Sequence, residues 1–115
     1  MFMTAEDKEP FMNHGLSQRS LDTMRRIFGK YDALETVILY GSRAMGNYKN
    51  GSDIDITIEA GEGFTDFDLL RVCGELDESD LPYFVDCSVL SNISDPALKD
   101  HIARVGKVLY ERGRT

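Results

Sequence analysis

The chain has 115 residues, 42% of them hydrophobic, enough for one domain with a buried core. Its formal net charge of −7 argues against a long nucleic acid as the resident ligand, because polyanion binding needs a basic surface that releases counterions. No run approaches the ~20 apolar residues of a membrane span, and Met1-Phe2-Met3-Thr4-Ala5-Glu6-Asp7 lacks the basic and apolar regions of a secretory signal. A cytoplasmic location is therefore expected.

Residues 1–15 are polar and aperiodic, with Pro10 and Gly15 as punctuation, and are expected to form a flexible arm; residues 16–115 make the domain. Ser17 can cap a helix running to about Tyr31, whose apolar positions Leu21, Met24, Ile27 and Phe28 form one stripe. Arg19, Arg26 and Lys30 fall on another face, read as a solvated surface. Residues 36–40 (Thr-Val-Ile-Leu-Tyr) are an apolar, partly β-branched run and predict a buried strand.

That strand runs into Gly41-Ser42-Arg43-Ala44-Met45-Gly46, a turn of mostly small residues. After the polar residues 47–51 comes Ser52-Asp53-Ile54-Asp55-Ile56, which opens a second strand over 53–59. Side chains alternate along a strand, so Asp53 and Asp55 share one face while Ile54, Ile56 and Ile58 share the other. Two neighbouring carboxylates repel, and an oxygen-liganded Mg²⁺ is the natural counter-charge.

Gly61-Glu62-Gly63 ends the strand. Phe67, Leu70, Cys73 and Leu76 space as the core stripe of a second helix capped by Thr65 or Asp66. Residues 83–90 predict a third strand after Pro82. Asp95-Pro96 starts a last helix, with Gly106 as a left-handed stop and residues 107–110 as a short closing strand. Cys73 and Cys87 fit no metal-ligand spacing and are read as core thiols. His14 and His101 are read as surface or packing residues, and Tyr48 and Lys49 as parts of a solvated loop.

Strands alternating with helices predict an α/β (α+β) fold, a mixed sheet with helices packed on one face. By strand parity Val85, Cys87 and Val89 join the isoleucines on the core side. Asp86 then joins Asp53 and Asp55 on the open face, where a mid-strand charge needs compensation.

The pattern GS-x(3)-G-x(5)-SD-x-D resembles the signature of nucleotidyltransferases of the DNA polymerase β superfamily, whose fold this sequence is then expected to share. The short chain is similar, more narrowly, to the minimal nucleotidyltransferase (MNT) antitoxins encoded beside HEPN-domain RNase toxins. The resemblance runs from Val37 to Val108-Leu109-Tyr110-Glu111.

The resemblance implies a Mg²⁺-dependent transfer of AMP from ATP. Gly41 would let the backbone approach the phosphates, and Ser42 would donate its hydroxyl to one. Arg43 would add a phosphate contact. Gly46 and Ser52 would shape the loop, Ser52 also within reach of a phosphate. Asp53, Asp55 and Asp86 would hold two Mg²⁺ ions, with Asp86 also the general base.

The implied partner is a HEPN toxin, adenylylated on a hydroxyl, tyrosine first. Little chain follows Tyr110, so an acceptor surface is expected from another protein or from a second copy in a homodimer. Two further readings stand beside this one: an antitoxin that neutralises its partner by binding alone, and a small-molecule nucleotidyltransferase working as an oligomer. Three mutually repelling aspartates favour the catalytic reading over pure binding.

Overall fold

The computed structural model describes residues 14–49 and 51–113. In chain order they form α1 (Gln18–Phe28), β1 (Leu34–Tyr40), α2 (Gly41–Met45), β2 (Ile54–Ala60), α3 (Asp66–Glu78) and β3 (Val85–Val89). A 3₁₀ turn (Leu90–Asn92), α4 (Pro96–Val105) and β4 (Lys107–Glu111) follow. The sheet order is β3-β2-β1-β4. β1 pairs antiparallel with β2 and β4, while β2 and β3 run parallel. A parallel pair cannot be closed by a hairpin, and α3 makes the crossover.

One face of the sheet is the core. Val37, Leu39, Ile54, Ile56 and Ile58 are fully buried, joined by Leu21, Met24, Ile27 and Phe28 of α1 and Val72 and Leu76 of α3. Helix α1 starts where the sequence places it, since the Ser17 side chain accepts from the Ser20 N–H. Its stop is earlier, at Phe28, where the Gly29 N–H returns to the Arg25 carbonyl. Arg25 Nε donates to the Leu109 carbonyl at 2.8 Å, fastening β4 to α1, and Arg112 Nε donates to the Leu34 carbonyl of β1 at 2.9 Å. Arg19 on α1 and Lys30 just beyond it lie outside: Arg19 pairs with Asp80 at 3.0 Å, and Lys30 with Glu75.

Two expectations need correction. The core stripe of α3 is Leu69, Val72 and Leu76, with Cys73 half-buried, whereas Phe67 and Leu70 are 67% and 69% exposed. The adjacent Leu69 and Leu70 leave the phase of the stripe open, and the 3.6-residue period selects the set 69, 72, 73, 76. Gly106 is not left-handed; its φ is −58°. Glycine is needed there for space, because a Cβ would come within 2.5 Å of the Ile102 carbonyl oxygen and 2.7 Å of Ile38 Cγ2.

Of the expected N-terminal arm only His14 and Gly15 are described. Residues 1–13 lie outside the described residues, but His14 is buried and Gly15 is held against the Tyr48 ring, where a Cβ would meet it at 2.4 Å. Helices on one face describes α1 and α3. Helix α4 lies across the other side at the β1 end, against Ile38 and Tyr40.

Candidate active site

The face opposite the core carries the strand carboxylates Asp55 and Asp86. Tyr40 pairs in register with Asp55, and Asp55 with Asp86, so three strands contribute one row of polar side chains. The next row contains Thr57 and Ser88, joined by a 3.0 Å bond from the Ser88 hydroxyl to Thr57 Oγ1. Asp53 is exposed and stands just before β2 rather than inside it. Its charge still acts on Asp55, which places it beside the row.

The glycine-rich segment after β1 is a five-residue helix, α2, rather than a simple turn. Gly46 closes it in the left-handed conformation, with φ 83° and its N–H on the Ser42 carbonyl. Gly41 opens it with φ 76°, and a Cβ there would sit 2.5 Å from Asp55 Oδ2. Glycine is thus required twice over, by conformation and by the carboxylate against it. Ser42 follows directly, partly exposed on α2 beside this contact. The Gly41 N–H donates to His101 Nε2 at 3.1 Å, and the His101 ring meets Tyr40 edge-on.

Burial is the main force raising the Asp55 carboxyl above its ordinary range; Asp86 and Asp53 add to it, and His101 opposes it. Burial likewise raises the Tyr40 phenol, helped by the charges of Asp55 and Asp86 and opposed by a hydrogen bond with Ser88. A raised carboxyl next to like charges is a site short of positive charge.

None of the three aspartates forms an ion pair among the described residues. The donor set is all oxygen, which fits a hard divalent cation. Among the described residues no three ligating side chains converge into a finished cage.

Arg43 and Ser52 are both engaged by other groups of the chain. Arg43 is 2% exposed, with its guanidinium bonded to the His14 and Ser52 carbonyls. Ser52 Oγ accepts from the Lys49 N–H at 2.8 Å, a loop-closing bond. Gly41, Ser42, Asp53, Asp55 and Asp86 are brought together; Arg43 lies beneath them.

Sequence reasoning missed His101 and Tyr40. No local pattern marks His101, since only the path of α4 over β1 brings it to Gly41. Tyr40 could have been found by extending strand parity from Asp55 across β1, which needs the register.

A glycine-opened helical turn thus abuts a row of strand carboxylates. Residues 22–115 match the family described as "Polymerase beta, Nucleotidyltransferase", and the chain belongs to that family. No curated protein matches significantly.

Solved structures resemble it in fold. A toxin–antitoxin crystal structure with AMP-PNP superposes with a TM-score of 0.64 at 24% identity, covering 85% of this chain and 76% of the other. The complex of a tri-AMPylated HEPN toxin with its MNT antitoxin from Shewanella oneidensis gives 0.63 at 22%, covering 84% and 73%. A candidate nucleotidyltransferase from Sulfolobus solfataricus gives 0.55 at 20%, covering 99% and 93%.

Proposed function

We propose that this nucleotidyltransferase is an MNT-type antitoxin that moves AMP from ATP to a hydroxyl, tyrosine first, of a cognate HEPN RNase toxin. The observation that carries the reading is the register of Asp55 with Asp86 beside the close approach of Gly41 to Asp55. The fold likeness to an AMP-PNP-bound toxin–antitoxin structure and to an AMPylated HEPN–MNT complex supports it. The acidic balance of the chain suits docking onto a basic, RNA-binding protein.

Gly41 keeps the α2 turn open to a triphosphate, and the Ser42 hydroxyl donates to a phosphate oxygen. Asp53, Asp55 and Asp86 would hold Mg²⁺, which when bound neutralises triphosphate charge and favours loss of pyrophosphate. Asp86 takes the proton from the partner's hydroxyl. The hydroxyl oxygen bonds to the α-phosphorus, the bond from that phosphorus to the bridging oxygen breaks, and pyrophosphate leaves with the electron pair.

Incubation of the chain with ATP, Mg²⁺ and the co-encoded HEPN protein tests this. Intact-mass measurement of the partner should show addition of one or more AMP units, with matching loss of its RNase activity. Silencing of the partner without added mass would overturn the enzymatic reading.

A further inference from the structure

Arg43 is the one charged Asp, Glu, Lys or Arg side chain among the described buried residues, and it forms no ion pair with any other described residue. A guanidinium out of water needs all the compensation its fork can collect. Here that comes from neutral groups. Nη1 donates to the His14 carbonyl at 2.8 Å, while Nε and Nη2 both donate to the Ser52 carbonyl, at 3.1 and 2.9 Å. The Tyr83 and Tyr48 rings lie with their centroids 4.4 and 4.8 Å from its central carbon.

These contacts join segments that carry the site. Ser42 is the residue before Arg43, and Asp53 is the residue after Ser52. Tyr83 leads into β3, where Asp86 lies; one residue on, the Phe84 carbonyl accepts from the Ile54 N–H at 2.9 Å. His14 ties in the segment ahead of α1, and Gly15 packs on Tyr48.

We propose that Arg43 is a positioning residue: its fork and two aromatic contacts hold the Ser42 turn, the Ser52–Asp53 step and the Tyr83 segment in one arrangement. In that arrangement Asp53 stands near enough for its charge to act on Asp55, which pairs with Asp86. The catalytic meaning of that placement rests on the proposed function; the placement itself does not. Arginine is required over lysine because only a planar fork serves one carbonyl twice and a second carbonyl at once.

Arg43→Lys is the test, with Arg43→Met as a second variant that keeps the stem without the hydrogen bonds. For Arg43→Lys, amide hydrogen exchange at Ser52 and Asp53 should quicken, Mn²⁺ affinity measured by electron paramagnetic resonance should weaken, and ATP affinity measured without divalent metal should hold. The rate of transfer at saturating ATP should fall about ten- to a hundred-fold, the scale of an ångström-level misplacement. A raised KM for ATP with kcat retained would make Arg43 a phosphate contact and overturn the proposal. So would a lowered melting temperature with wild-type exchange at Ser52 and Asp53 and wild-type turnover per folded molecule, the mark of mere packing. If the wild-type chain transfers no AMP yet Arg43→Lys loosens Ser52–Asp53 and weakens Mn²⁺ binding, the positioning role stands and the proposed function falls.

Discussion

The two faces of β2 are built from alternate residues of one strand and serve opposite ends. Ile54, Ile56 and Ile58 are sealed between sheet and helices. Between them, Asp55 is held half-buried among like charges, with Asp86 directly across. The first face gains stability from every side chain; the second gives some up by burying Asp55 beside like charges. Function and stability are thus separated by the two-residue period of the strand, and substitutions one residue apart should have unrelated consequences.

The largest contrast is expected between Ile56→Ala and Asp55→Asn. The first should destabilise the fold by about 2–5 kcal/mol through the cavity it leaves, read by chemical denaturation, a large part of the ~5–15 kcal/mol typical of a domain. The second, like Asp53→Asn, should abolish transfer while leaving the metal-free melting temperature unchanged or higher, because a repelling, partly buried charge has been removed. Unfolding of the asparagine variants, or transfer that persists in them, would erase the distinction between the faces.

Gly41→Ala probes the boundary between them. A left-handed backbone costs about 1–2 kcal/mol for a residue with a Cβ, and the added methyl must displace Asp55. Stability should fall modestly and transfer far more, measured together by thermal melting and by turnover per folded molecule. Equal losses in both would mean that Gly41 serves only the fold.

Ser42→Ala should be milder. A neutral hydrogen bond of about 0.5–1.5 kcal/mol implies a roughly ten-fold or smaller effect, mostly in KM for ATP. A far larger loss confined to kcat would place Ser42 in the transition state.

The smallest effect belongs to the core-side surface. Hydrogen bonds from Lys30 and Tyr31 hold the Glu75 carboxyl below its usual range, and burial with the Glu75 hydrogen bond pushes the Tyr31 phenol up to about 12. A lowered carboxyl stabilises the fold above its unfolded value, about 4.3, and that stabilisation is lost as pH falls through the lowered folded value. Glu75→Gln should therefore cost under about 1 kcal/mol at neutral pH. In thermal melts the gap to wild type should close on acidification; a gap that widens instead would refute the pairing.

Much of this division is legible in the sequence, because strand parity alone separates Asp55 from Ile54 and Ile56, and the GS and SD-x-D spacing places Gly41 near the carboxylates. What escaped depends on tertiary register. The phase of α3 was ambiguous at Leu69-Leu70 until the sheet chose Leu69. Gly106 looks like a left-handed stop, and only its neighbour Ile38, nearly seventy positions away in the chain, shows that space decides. His101 carries no local sign of its contact with Gly41, and Arg43, beside a phosphate-type motif, turns inward because Tyr48, Tyr83 and two carbonyls wait there.

The most direct test of the acidic face as the seat of catalysis is Asp86→Asn with ATP, Mg²⁺ and the HEPN partner, following nucleotide binding by calorimetry and the partner's intact mass in parallel. ATP should bind much as in wild type, since the α2 turn, Asp53 and Asp55 remain, while no AMP reaches the partner. Wild-type transfer by Asp86→Asn, or loss of ATP binding and transfer together, would contradict the role given to Asp86.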